Sequence, residues 1–177
     1  MEDHREGPGS PEEGEAPQDE AVATLLSGLR KLAGFDGITY RGAPTDAAFG
    51  REGQVLVSTG LVATSRDPRV ATENFSSAGL YAVVGNAGRA IEAYSQHLDE
   101  REVVFLPSTM FLVVKRARVG DLPVTIVEQL DPDRDPDERG ASSIEETARV
   151  VVAQVAAARE REPVVVHAAG KFCGEIT

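Results

Sequence analysis

The chain predicts an α+β domain: one helix, then a run of short strands, then a second helix. Three observations carry that expectation. Apolar residues recur at helical spacing near each end of the chain. Between them lie β-branched and aromatic patches punctuated by glycine and proline. Strands and helices do not alternate as they would in a parallel βαβ sheet. The 177 residues suffice for one domain with a real hydrophobic core.

Residues 1 to 19 are rich in Glu, Gly and Pro with almost nothing apolar, so they cannot repay the entropy of folding and read as a disordered acidic leader or linker. The domain is expected over residues 20 to 177. Val22, Leu25, Leu26, Leu29 and Leu32 give a helix with one buried stripe, which Gly34 is placed to end. Gly37 to Gly42 reads as a strand with Arg41 near its end. Ala43 to Gly53 is a loop or poorly formed helix, Val55 and Val57 belong to an apolar patch, and Leu61 to Ser65 is a second strand. Asp67-Pro68 starts a helical turn or two covering Val70 to Phe75. Leu80 to Val84 is a third strand, with Gly85-Asn86-Ala87-Gly88 as its turn.

Ala90 to Leu98 reads as a structured loop. Glu102 to Leu106 and Phe111 to Val114 are consecutive strands joined through Pro107-Ser108-Thr109, and Leu122 to Leu130 is another. Asp131 to Gly140 is a polar spacer. Behind it, Ser142 or Ser143 with Glu145 or Glu146 makes a capping box, and Ile144, Ala148, Val151, Val152 and Val155 form the stripe of a helix over 143 to 161. Pro163 to Val166 is expected as a closing strand.

Asp and Glu outnumber Lys and Arg by 29 to 18, a formal net charge of −11 with no basic patch, which argues against a nucleic-acid partner. Cys173 is the sole cysteine, so neither a disulfide framework nor a multi-cysteine metal site can form within the chain, and no metal is expected. No apolar run reaches membrane-spanning length, and the first twenty residues lack the apolar core of a signal peptide. An exported form would carry its signal elsewhere or on a larger parent chain. Glu100 and Glu102 stand one residue apart before an apolar run, so a strand beginning there would put both carboxylates on one side of the sheet. Two acids on one face repel and resist burial, so taken alone they read as an exposed strand end.

The motifs change that reading through their order: Tyr40-Arg41-Gly42, then Leu61-Val62-Ala63-Thr64-Ser65-Arg66-Asp67-Pro68, then Glu100-Arg101-Glu102-Val103-Val104-Phe105-Leu106-Pro107. Together they resemble the bacterial mono-ADP-ribosyltransferases of the Arg-Ser-Glu type, with an arginine on the first core strand, a Ser-Thr-Ser strand and a Glu-x-Glu turn. Gly79-Leu80-Tyr81-Ala82-Val83 and Gly88-Arg89-Ala90-Ile91 stand where that family places a strand and the loop before the catalytic turn, and the match runs from about Thr39 to Val114.

The resemblance implies a split β-sheet core with flanking helices, and transfer of ADP-ribose from NAD to a protein arginine or a small guanidine. It implies a toxin or effector role, with room for an inhibitory partner protein. Glu102 is then the catalytic carboxylate beside the ribose. Glu100 faces the acceptor, where a second carboxylate can hold a guanidinium and draw off a proton. Arg41 suits the pyrophosphate with its planar fork of donors, and Gly42 lets the chain pass close to the ligand. Thr64 and Ser65 match the second and third positions of the Ser-Thr-Ser strand and join Arg41 and Gly42 on the NAD side. Ala63 departs from the first position and cannot donate a hydrogen bond. That departure keeps open a catalytically impaired binding domain on the same fold, and an NAD glycohydrolase using water is a third reading. Tyr94 and His97 lie where the family reads its acceptor. Phe75 reads as a core residue or a nicotinamide contact, His167 as a satisfied strand histidine, and Cys173 as inert.

Overall fold

The computed structural model describes residues 16–45, 50–131 and 141–176. The leader expected over 1 to 19 lies outside these as far as residue 15, and most of the polar spacer lies outside them too. Helix α1 (Ala16–Arg30) starts inside that expected leader. Its apolar stripe is not a buried one: Val22 and Leu25 stand 55% and 51% exposed, and Leu29 is the buried member. Gly34 belongs to the strand that follows rather than to the helix end.

Residues 33–177 form a separate unit containing the sheet. Its strands are β1 (Gly34–Ala43), β2 (Val55–Val57), β3 (Val62–Ser65), β4 (Gly79–Ala90), β5 (Glu102–Phe105), β6 (Met110–Val119) and β7 (Leu122–Gln129). Helix α2 (Pro68–Ala71) follows β3, and α3 (Ala141–Arg159) follows β7. The order across the sheet is β1-β3-β5-β4-β7-β6-β2, with β1 also paired directly to β4. The expected α+β class is the one observed.

Strand β4 is the spine of this arrangement. Its first half lies antiparallel to β1 (Ile38 opposite Val84) and parallel to β7 (Ala82 opposite Ile126), and its far end crosses to β5 (Arg89 opposite Val104). Strand β3 bridges β1 to β5, so β1, β3, β5 and β4 pair in a closed circuit. The apolar run Leu80 to Val84 makes this possible because it can be buried on both faces. Leu80 and Ala82 enter one core with Val124 and Ile126 of β7 and Ala148, Val151 and Val155 of α3. Tyr81 and Val83 enter a second core with Val62, Val103, Phe105, Phe111 and Val113. The α3 stripe expected from spacing is therefore the face that packs.

Two expected features do not form. Gly85 to Gly88 is no turn but part of β4, and its glycines serve close crossing: a Cβ on Gly88 would lie 2.6 Å from Val103 Cγ1. The backbone N–H groups of Asn86 and Ala87 donate to the Gln129 side chain at 3.1 and 2.8 Å, which carries β4 past the point where a turn was expected. Pro163 to Val166 pairs with no strand. The Asn74 side chain takes a strand's place there, accepting from Val164 N–H at 2.8 Å and donating to the Val164 carbonyl at 2.9 Å. Such a side-chain amide satisfies the backbone without a ladder.

Candidate active site

Register assembles the candidate residues. Tyr40 of β1 lies opposite Ser65 of β3, and Ser65 lies opposite Glu102 of β5, so the Arg41, Ser65 and Glu102 motifs meet across three adjacent strands. Glu100 closes a 3₁₀ turn (Leu98–Glu100), and Arg101 takes the left-handed conformation at φ 48° before β5 begins. A left-handed non-glycine residue costs about 1–2 kcal/mol, so this kink is held in place by what surrounds it. The two carboxylates converge through this turn rather than through the pleat of one strand.

Both glutamates are buried, 2% exposed for Glu100 and 6% for Glu102, which overturns their reading as an exposed strand end. Burial is possible because a cation lies between them. Lys171 Nζ is 2.6 Å from Glu100 Oε2 and 2.6 Å from Glu102 Oε2. Burial would lower the Lys171 ammonium, but its hydrogen bonds to Glu100 and Glu102 outweigh that and raise it above the ordinary lysine value. The sequence reading assigned no role to this part of the chain. Its one available signal was a requirement rather than a motif, since two neighbouring acids that are buried demand a counter-charge.

Arg41 is half-buried, and its guanidinium donates from Nη1 to the Ala63 carbonyl at 2.8 Å and from Nε to the Gly174 carbonyl at 3.0 Å. Burial lowers its pKa, partly offset by neighbouring Cys173 and Tyr81. Ala63 thus contributes a backbone carbonyl, which any residue would supply, while its methyl group packs against the core. Thr64 and Ser65 are fully buried. Thr64 Oγ1 donates to the Val103 carbonyl at 2.7 Å, and Ser65 Oγ donates to the Glu100 carbonyl at 2.7 Å while accepting from Asp67 N–H at 3.0 Å. Their hydroxyls therefore hold β5 and the glutamate turn.

Gly42 faces protein: a Cβ there would lie 2.6 Å from the Ala71 carbonyl oxygen and 3.3 Å from Cys173 Sγ. Asp67 caps α2 and pairs with Arg69 at 2.6 Å. Burial would raise the Asp67 carboxyl, but the Arg69 hydrogen bonds prevail and hold it below the ordinary value. A cavity of about 590 Å³ opens beside these strands, lined in part by Tyr40, Arg66, Asp67, Arg101 and Arg161. Arg41, Glu100 and Glu102 are not in its wall, consistent with Tyr40 and Arg41 facing opposite ways along β1.

In the loop before Glu100, Tyr94 stands 76% exposed. His97 stacks on His167 with ring centroids 3.8 Å apart and planes 8° from parallel, and His167 Nε2 lies 2.9 Å from Asp99 Oδ2. His167 is thus an exposed loop residue rather than a strand histidine. The hydrogen bond from His167 lowers the Asp99 pKa. Ligand atoms of His97, Asp99 and His167 lie within 4.8 Å of one another, but parallel stacked rings send their lone pairs side by side rather than toward one ion. Phe75 packs against the first core beneath the Arg159 guanidinium, 5.8 Å from the ring centre. Burial pushes the Cys173 thiol up, which fits an inert cysteine.

No family model matches. The NAD(+)–protein-arginine ADP-ribosyltransferase Tre1 of Serratia proteamaculans (strain 568) is 33% identical over 95 residues, covering 52% of this chain and 20% of Tre1. The Vis toxin, an ADP-ribosyltransferase from Vibrio splendidus, superposes with a TM-score of 0.57 at 26% identity, covering 69% of this chain and 61% of the Vis chain. In sequence and in fold the chain is similar to bacterial mono-ADP-ribosyltransferases. Vis in complex with agmatine matches at 27% identity and a TM-score of 0.55, over 66% of this chain and 60% of that one. The chain spans about a fifth of Tre1 and three fifths of Vis. Among its described residues no helix is long and apolar enough to cross a membrane.

Proposed function

We propose that the chain transfers ADP-ribose from NAD to arginine, with Glu100 and Glu102 as the working carboxylates. The observation that carries this reading is the pair of buried glutamates sharing one cation, at the start of a strand that β3 joins to β1, the strand of Arg41. The donor set fits NAD: a guanidinium fork suits a pyrophosphate, and rigidly held carboxylates suit ribose hydroxyls and a developing positive charge. NAD, when bound, supplies the ADP-ribosyl group and nicotinamide as the leaving group.

The chain's own residues divide the remaining work. Arg41 stays charged and orients the phosphates. Glu102, fixed at the first residue of β5, offers its negative charge where positive charge develops. Glu100 holds the acceptor's guanidinium and accepts the proton it must lose to become a nucleophile. Ser65 holds the Glu100 peptide, and Thr64 ties β3 to β5, so both act by positioning. Tyr94, exposed on the loop before Glu100, and His97 are the contacts proposed for a protein acceptor.

The name of Tre1 and the agmatine bound to Vis support an arginine-type acceptor here. Incubation with NAD and agmatine tests the proposal. ADP-ribosyl-agmatine, identified by mass spectrometry, is the expected product. Nicotinamide release without modified agmatine would favour a glycohydrolase instead, and no NAD consumption would favour a binding domain.

A further inference from the structure

The three side chains assigned above to NAD and acceptor are all engaged by one short stretch of the chain itself. Lys171 Nζ lies between Glu100 and Glu102, 2.6 Å from each. Three residues on, the Gly174 carbonyl accepts from Arg41 Nε at 3.0 Å. The backbone seals the contact: Gly42 N–H donates to the Phe172 carbonyl at 2.8 Å, and Gly174 N–H donates to the Gly42 carbonyl at 2.9 Å. A Cβ on Gly174 would press against Arg41 Nη2, so a side chain there would require the guanidinium to shift. Phe172 and Ile176, buried in the two cores, hold the stretch in place.

We propose that residues 170–174 are a built-in pseudo-substrate that fills the site, with the Lys171 ammonium standing for the acceptor's cation and the Gly174 carbonyl for a phosphate oxygen. This rests on the assignment of Arg41, Glu100 and Glu102 under Proposed function. The match is chemical at both ends, a cation against the paired carboxylates and an oxygen acceptor against the guanidinium. Lys171 mimics an acceptor without being one. Its two carboxylate partners keep it protonated, and a protonated amine has no lone pair with which to attack. The approach to the stretch, residues 160–170, is largely exposed and has neither helix nor paired strand beyond the end of α3. Lifting residues 170–174 from the site draws Phe172 out of the first core but needs no unwinding of α3. NAD and this stretch compete for Arg41, and acceptor and Lys171 compete for the glutamates.

The test is amide hydrogen exchange on the full chain with and without saturating NAD, joined to NAD affinity by calorimetry for wild type, Lys171→Ala and Lys171→Arg. Competition predicts that NAD speeds exchange in 170–174 about tenfold or more while exchange in α3 is unchanged. Lys171→Ala should bind NAD about tenfold more tightly, and Lys171→Arg should stay near wild type. The wild-type exchange experiment needs no variant, so it stands even if Lys171→Ala folds poorly. NAD binding that leaves exchange in 170–174 unchanged or slower would overturn the pseudo-substrate while leaving the functional assignment standing. A chain that binds no NAD, in Lys171→Ala as in wild type, would overturn both.

Discussion

Replacing Ser65 with alanine separates positioning from substrate contact at the heart of the site. The Ser65 hydroxyl is fully buried and serves two backbone groups, donating to the Glu100 carbonyl at 2.7 Å and accepting from Asp67 N–H at 3.0 Å. A net hydrogen bond contributes about 0.5–1.5 kcal/mol, and a buried polar group left unpaired costs about 1–3 kcal/mol. Losing both bonds should therefore destabilise the chain by about 2–3 kcal/mol. For a unit of this size that is a fall in Tm of roughly 5–10 °C. The Glu100 peptide would also lose its tether, and a carboxylate displaced by about 1 Å can lower turnover roughly 100-fold.

Urea denaturation followed by circular dichroism reads the stability change, and steady-state transfer to agmatine reads the catalytic one. Because the hydroxyl acts through the Glu100 turn, kcat should fall while NAD affinity stays within about twofold of wild type. A stability loss under 0.5 kcal/mol would refute the hydrogen-bond accounting. A large rise in the NAD dissociation constant with kcat preserved would instead make Ser65 a direct NAD contact.

Gly42→Ala should destabilise the chain by about 1–3 kcal/mol or prevent folding, because the added methyl group would sit 2.6 Å from the Ala71 carbonyl, and overpacking costs are of that order; a thermal melt at the wild-type Tm would contradict this. The Asp67 carboxylate, held below its ordinary pKa by Arg69, contributes stability that is present above the unfolded-state value and lost as pH falls through the lowered folded value. Wild type should therefore be more stable than Asp67→Asn near neutral pH, with the gap closing below about pH 4; a gap constant from pH 7 to pH 2 would count against the pairing. Thr64→Val, which removes the 2.7 Å bond to the Val103 carbonyl, should cost about 1 kcal/mol in urea denaturation, and no measurable loss would argue that the bond contributes nothing.

Local rules made much of this fold legible. Helix α3 followed from its apolar spacing, β3, β5 and β7 from short β-branched runs, and α2 from Asp67-Pro68. The site residues were proposed because three motifs stand in the order of a known family, and register brings those motifs onto neighbouring strands. What failed failed for tertiary reasons. Gly85 and Gly88 have the composition of a turn, but Val103 and Gln129 lie so close that only glycine fits, and the strand runs on. Pro163 to Val166 has strand composition, yet Asn74 satisfies it from 90 residues away. The stripe of α1 has the right period, although Val22 and Leu25 remain exposed. Lys171 sits between a glycine and a phenylalanine 71 residues from Glu100, and no local pattern joins the two.

The buried carboxylate at the start of β5 is the group proposed to drive ADP-ribose transfer. The most direct measurement is agmatine modification by wild type and Glu102→Gln, with circular dichroism showing that both fold. Removing one preorganised electrostatic group typically costs about 10²–10³ in kcat, so Glu102→Gln should lose at least about 100-fold. A folded Glu102→Gln variant that modifies agmatine at the wild-type rate would contradict the assignment.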